Sequence, residues 1–126
     1  MAKKIFLFRG KTVEELQAMS TDELLPLLSS QLRRKFARGL THSEQVFYDK
    51  IKVKNNVKTH CREVYVLPFM VNKTVKVYKG NSFEDVIIQP EMIGHRLGEL
   101  VLTRKRVMHG GMGVGASKGS ANQSRK

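Results

Sequence analysis

The spacing of the apolar residues changes near residue 60, and this change limits the possible folds of the 126-residue chain more than any other feature. Before it, a hydroxyl residue followed three positions later by glutamate marks a helix start at Thr12, Ser20 and Thr41. After it, valine and isoleucine recur at every second position, which is typical of strands. The sequence therefore predicts an α+β fold, with N-terminal helices packed on a small three-stranded antiparallel sheet.

The positions of the elements follow from the same patterns. Three pairs of alternating residues predict the strands: Val64 and Val66, Val75 and Val77, Val86 and Ile88. A turn over residues 78–83, with Gly80 available for positive φ, is expected between the second and third strands. Pro26 should make the second helix bend or restart, because proline lacks an amide donor. The capping box at Thr41 should open a helix over roughly residues 42–54.

The length favours one globular domain made of three parts. Residues 1–58 form an N-terminal helical extension that is basic in its second half. Residues 59–102 form the core of sheet and glycine-broken turn, and residues 103–126 form a basic, flexible C-terminal tail. That tail contains no Asp or Glu and few large apolar groups. Burial of residues 110–126 therefore cannot offset an ordering cost of about 1–2 kcal/mol per residue, and we expect these residues to be mobile in the free protein.

The charge balance points to a polyanionic partner. The formal net charge is +12 and the sequence pI is near 10.1. Residues 31–62 contain nine basic residues against Glu44 and Asp49. Such a field steers a protein towards nucleic acid or an anionic membrane. No apolar run approaches the roughly 18–20 residues of a spanning helix, so we expect no membrane partner. The single cysteine, Cys61, suits a reducing compartment and a half-buried apolar role.

The run from Arg33 to Gly39 is the best local candidate for phosphate contact. Arg33, Lys35 and Arg38 are expected to project together, and guanidinium groups match phosphate oxygens. Phe36, within the same run, is interpreted as a core anchor rather than a base-stacking platform. The glycines at 111, 113 and 115 match no phosphate-binding loop, since no strand precedes them and no helix follows.

The histidines leave two readings open. His60 either contacts a phosphate or ribose hydroxyl, or it is a strand-edge residue satisfied by backbone. His95 either caps its own turn or, as the family resemblance described below implies, lies against RNA. None of the four histidines pairs at helical spacing, so no metal is expected. Nothing assembles a nucleophile with a base, so we expect no catalytic residue, no enzymatic activity and no cofactor.

Three ordered motifs resemble one family. They are LPFMV-x-KTV-x-VY from Leu67, PEMIGH-x-LGE from Pro90, and TRK-x-V-x-HG from Thr103. Together they are similar to the S19 family of small-subunit ribosomal proteins. The run from Arg33 and the N-terminal helices, which the bacterial branch lacks, indicate the archaeal or eukaryotic type. Asn72 stands where the family usually has glycine, and Arg96 and Leu100 replace a frequent Tyr and Phe.

The resemblance implies a component of the small-subunit head in the cytoplasm, bound to rRNA beside a neighbouring head protein. It also implies that the basic tail extends towards the decoding site and tRNA. The expected RNA-binding residues are Arg33, Arg34, Lys35, Arg38, Lys54, Lys58, His60, Arg62, Lys73, Lys76, Lys79, His95, Arg96, Arg104, Lys105, Arg106, His109 and Lys118. The alternative is a free-standing nucleic-acid-binding regulatory module. Such a module usually has a recognition helix or a dimer seam, and the sequence indicates neither.

Overall fold

The computed structural model describes residues 6–106 and residue 108. Helices occupy the first part of that range and strands the second, as the change of apolar spacing predicts. The helices are α1 (Val13–Ala18), α2 (Thr21–Leu24), α3 (Ser30–Arg38) and α4 (His42–Val53). The strands are β1 (Asn56–Thr59), β2 (Thr74–Tyr78) and β3 (Phe83–Ile87). The α+β fold class is therefore confirmed.

Local hydrogen bonds explain where the helices begin and end. The Thr12 amide donates to the Glu15 carboxylate at 2.9 Å, and the Glu15 amide donates back to the Thr12 hydroxyl at 3.4 Å. Ser20 and Glu23 repeat this exchange at α2. These reciprocal bonds satisfy amides that a helix start leaves without partners. Gly39 ends α3 with φ +93°, a conformation that glycine adopts without steric cost.

The α-helix does not continue through Pro26, as predicted. The chain passes from α2 into a short 3₁₀ turn, Leu25–Leu27, which contains the proline, before α3 begins. Proline is tolerated there because the first amides of such a turn have no internal acceptor.

The sheet has the expected number of strands but a different arrangement. Its order is β1-β2-β3, and β2 pairs antiparallel with β3 through a hairpin in which Gly80 has φ +107°. Strand β1, however, pairs parallel with β2, with Val57 opposite Val75. The prediction of a purely antiparallel sheet is therefore wrong. Parallel neighbours require a long crossover, which residues 60–73 provide here.

The segment predicted as the first strand lies outside the sheet. Val64 and Val66 are in an extended stretch whose backbone pairs with residues 94–98 instead. The Val66 amide donates to the His95 carbonyl at 2.9 Å, and the Leu97 amide donates to the Val64 carbonyl at 2.9 Å. All four residues from Val64 to Leu67 are buried, so the alternation in this stretch does not separate a core face from a solvent face. The motif from Pro90 is thus held by the crossover segment.

The core lies between the helices and one face of the sheet. Buried side chains from every part contribute to it: Leu16, Leu32, Phe47, Ile51, Val57, Val75, Val77, Val86 and Leu97. Phe36 and Cys61 are partly buried against this core, as predicted for both. Alternate residues along each strand project to the opposite face, because side chains alternate across a sheet.

Candidate nucleic-acid interface

An open cavity beside α3 gathers several of the predicted residues. Its volume is about 540 Å³, and we call it the arginine cleft; its lining residues are Gln31, Arg34, Lys35, Arg38, Gly39, Tyr65 and Arg96. Arg34 and Arg38 are four positions apart on α3, which places them on one helix face. Arg33 is exposed but does not line the cleft. The expected grouping of Arg33 with Lys35 and Arg38 is therefore replaced by a grouping around Arg34.

Arg96 forms the opposite side of the cleft. Its Nε donates to the Tyr65 hydroxyl at 3.0 Å, and its guanidinium carbon is 5.3 Å from the centre of the Tyr65 ring. The hydrogen bond to Tyr65 and the nearby Glu63 carboxylate, 2.9 Å away, raise the pKa of Arg96. These contacts hold a charged guanidinium plane in a fixed orientation at the cleft.

Lys35 lines the cleft but its ammonium group is bonded inside the protein. It pairs with the Glu44 carboxylate, donates to the Glu63 carbonyl at 2.9 Å, and lies 5.4 Å from the Tyr65 ring centre. Burial acts to raise the pKa of Glu44, but hydrogen bonds from Lys35 and Thr41 outweigh it and lower that pKa. Lys35 therefore joins α3 to α4 and to the crossover segment.

The Arg62 and Lys73 side chains also donate hydrogen bonds to backbone carbonyls. The Arg62 guanidinium donates to Tyr78 at 2.6 Å, to Gly98 at 2.6 Å and to Val101 at 3.0 Å. The Lys73 ammonium donates to the carbonyls of Ile51, at 2.7 Å, and Lys52, at 3.3 Å, where α4 ends. Such cations stabilise the negative end of a helix or join separate segments.

Gly98 permits the close approach that the Arg62 contact requires. A β-carbon at this position would lie 3.1 Å from both the Arg62 β-carbon and the Arg62 carbonyl oxygen. The glycine of the family-like motif is therefore needed for packing within the chain. Gly94 differs, since its φ of +86° is what calls for glycine there and the space around it is open.

A second group of predicted residues belongs to the sheet. Lys58, His60 and Lys76 are on or beside its outer face, and Lys76 pairs with Asp85 at 3.4 Å. His60 lies 4.6 Å from the Tyr78 ring, between centroids. The His95 Nδ1 lies 2.9 Å from the Glu99 carboxylate, so this histidine does contact its own turn.

A third group lies at the hairpin turn. A smaller cavity of about 290 Å³ there is lined by Lys79, Arg104 and Lys105, among others, and Lys79 pairs with Glu84 at 3.4 Å. Lys54 and Arg106 are exposed. His109, Lys118 and the tail beyond residue 108 lie outside the described residues. Tyr65, Tyr78 and Gln31 also belong to the candidate surfaces, although these uncharged residues were not predicted as RNA-binding.

Among residues 6–106 and 108, no three His, Cys, Asp or Glu side chains cluster closely enough to hold a metal ion. No helix in the same range is long and apolar enough to cross a membrane.

Comparison with known proteins decides the family. The sequence model of the family described as Ribosomal protein S19 matches residues 34–109, which is more than half of the chain. The chain belongs to the ribosomal protein S19 family. It is therefore a structural ribosomal protein, and the family resemblance of its motifs is confirmed.

Individual S19 relatives come from archaea. The "small ribosomal subunit protein uS19" of Picrophilus torridus is 50% identical over 118 residues, covering 93% of this chain and 78% of the relative. The uS19 of Methanoregula boonei is 46% identical over 116 residues, covering 91% and 84%. The uS19 of Thermoplasma volcanium is 46% identical over 118 residues, covering 93% and 78%. Each of these alignments covers more than 90% of the chain, so it includes helices α1 to α3, which begin before the residues 34–109 that the family model matches. The archaeal type is therefore confirmed.

Proposed function

We propose that this S19 protein is a constituent of the small ribosomal subunit that binds rRNA in the subunit head. The arginine cleft is the observation that carries the proposal. Arg34, Arg38 and Arg96 surround an open space, and none of the lining residues is acidic. Guanidinium groups bind phosphate oxygens in a bidentate manner, so the cleft suits a segment of nucleic-acid backbone.

The roles of the other predicted residues follow from their contacts. Arg34, Arg38, Lys54, Lys58, Arg104 and Lys105 are exposed, and they supply charge to phosphates at the surface. Lys35, Arg62 and Lys73 keep their partners inside the fold and hold the surface in shape. The proposal therefore places direct phosphate contact on the first set rather than on all of the basic residues.

Salt-dependent binding of an rRNA fragment from the subunit head tests this proposal. The double variant Arg34→Gln/Arg38→Gln should bind at least tenfold more weakly. Each lost phosphate contact should also reduce the slope of log K against log salt by about 0.7–0.9, because fewer counterions are released. Lys35 is left intact, since removing it would leave the Glu44 carboxylate buried without its partner.

A matched control removes the same charge elsewhere. Lys50→Gln/Lys52→Gln also lowers the net charge by two, but its residues are exposed on α4 away from the cleft lining. We expect a smaller loss of affinity and a nearly unchanged salt slope. Equal effects of the two double variants would mean that only the overall charge matters and that the cleft is not a site.

The proposal extends to the basic tail. Its freedom from acidic residues allows it to follow RNA, and its glycines allow it to pass narrow gaps. By family resemblance, we propose that it reaches the decoding site and tRNA beside a neighbouring head protein. Deleting residues 113–126 should leave subunit incorporation intact but raise the frequency of misreading in a reporter assay. Normal accuracy after deletion would exclude this role of the tail.

A further inference from the structure

Three rings meet on the sheet at the end where β1 and β2 finish and β3 begins. The His60 ring centre lies 4.6 Å from that of Tyr78 and 5.0 Å from that of Phe83, and Tyr78 lies 5.3 Å from Phe83. We call His60, Tyr78 and Phe83 the aromatic row. Its rings are tilted at 47–78° to each other, so none of them stacks face to face on another.

The strand register places the aromatic row on the face opposite the core. Tyr78 pairs with Phe83 across the hairpin, and their neighbours Val77 and Val75 are buried on the inner face. Side chains alternate, so Tyr78 and Phe83 project outward. His60 is exposed, and Tyr78 and Phe83 are half-buried. The Tyr78 hydroxyl donates to the Gly80 carbonyl, which fixes the orientation of the ring.

Two lysines share the outer face of the sheet with the aromatic row. The Lys58 ammonium lies 5.6 Å from the centre of the Phe83 ring. Lys76, two residues before Tyr78 on β2, lies on the same face and is paired with Asp85 of β3 at 3.4 Å. The face that carries the rings therefore has two lysines against one aspartate.

We propose that the aromatic row is a stacking platform for an unpaired nucleobase of the bound RNA, with Lys58 contacting the adjoining phosphate. The inference rests on the proposed rRNA binding and adds a second, base-directed site to the cleft. Rings with a lysine ammonium beside them suit a polyanion that carries flat apolar groups, and single-stranded RNA fits that description better than an apolar peptide. The base must be unpaired, because stacked bases in a duplex do not present their faces.

Two RNA probes of equal charge separate stacking from phosphate binding. One is an eight-nucleotide oligoadenylate, and the other is an abasic RNA with the same number of phosphates. The full chain should bind oligoadenylate about tenfold more tightly than abasic RNA. In NMR spectra, the ring protons of His60, Tyr78 and Phe83 should move upfield with oligoadenylate only. Equal affinities, or ring signals that do not move, would overturn the inference.

Substitutions assign the preference to the aromatic row. Tyr78→Ala should remove most of the preference for oligoadenylate without altering the affinity for abasic RNA, and Tyr78→Phe should retain it. His60→Ala tests the same preference independently, at an exposed position. If these variants keep the full preference, the base stacks elsewhere and the inference fails.

The cleft variant distinguishes this failure from failure of the proposed function. Arg34→Gln/Arg38→Gln should weaken both probes by the same factor, because both contain phosphates. If both probes bind equally and respond to the cleft variant, rRNA binding survives and only the stacking platform is lost. If neither probe binds at low salt, the proposed function and the platform fail together.

Discussion

Asn72 occupies a backbone conformation that glycine adopts without steric cost. The residue has φ +66°, and its amide donates to the Ile88 carbonyl at 2.9 Å just before β2. The left-handed region costs an ordinary L-residue roughly 1–2 kcal/mol, whereas asparagine visits it more readily. Asparagine can therefore form this turn in place of glycine.

Substitutions at Asn72 should change the free energy of unfolding through the preference of the new residue for the left-handed region, rather than through lost contacts. Asn72→Ala should lower the free energy of unfolding by about 1 kcal/mol, and Asn72→Gly should be close to neutral. Urea unfolding followed by circular dichroism measures both changes. Asn81→Ala is the control, since Asn81 is exposed and lies outside the left-handed region. An alanine at residue 72 as stable as the glycine would contradict this account.

The contacts of Lys35 connect elements that lie far apart in the sequence. Lys35 comes from α3, Glu44 from α4, and the Glu63 carbonyl from the crossover segment. The side chain of Glu44 is 6% exposed and that of Lys35 is 23% exposed. The pair is thus shielded enough to contribute to the packing of the two helices, unlike exposed ion pairs on the surface.

Glu44→Gln should destabilise the fold in a pH-dependent manner. The substitution keeps an acceptor for the Thr41 amide but removes the charge, so it should cost about 1–3 kcal/mol at pH 7. The folded pKa of Glu44 is lowered, so its stabilisation is present above its ordinary value of 4.5 and is lost as the pH falls through the folded pKa. The difference from the unsubstituted protein should therefore shrink below pH 4.5.

Urea unfolding at pH 7 and at successively lower pH measures this difference. Exposed Glu91→Gln is the control and should change stability by less than about 0.5 kcal/mol throughout. A Glu44→Gln penalty that stays constant down to acid pH would show that the charge of the carboxylate is not what stabilises the helix pair.

Elements whose signals are local were predictable from the sequence. Three kinds of feature depend on residues within a few positions of each other: the capping boxes at Thr12 and Ser20, the end of the α-helix before Pro26, and the hairpin at Gly80. Strand β1 was missed because only Val57 and Thr59 face the core, which is too short an alternation to detect. Its parallel pairing depends on the path of residues 60–73, which local pattern does not determine.

The charges of the candidate site were predictable from the sequence, but the contacts of its residues were not. The basic run on α3 does line a cleft, because neighbouring helix positions share a face. The sequence shows that Arg62 and Lys73 are cations, but not that backbone carbonyls lie within bonding distance of them. The aromatic row was missed for a related reason, since residues 60, 78 and 83 meet only through the strand register.

At the scale of the whole molecule, the charge is large for the size of the protein. A net charge of +12 on 126 residues repels itself in the compact state unless a polyanion neutralises it. The cleft, the sheet face and the hairpin turn each present cations that the fold does not fully neutralise. Binding to rRNA at several places would account for all three surfaces within one S19 protein.

Sedimentation of the tagged full chain with ribosomal subunits tests the central claim most directly. Produced in an archaeal host, the chain should migrate with small subunits in a sucrose gradient and remain there through a moderate salt wash. The Arg34→Gln/Arg38→Gln variant should leave the subunits at lower salt than Lys50→Gln/Lys52→Gln does, because it loses phosphate contacts. A folded chain that stays at the top of the gradient while intact small subunits sediment would contradict the account.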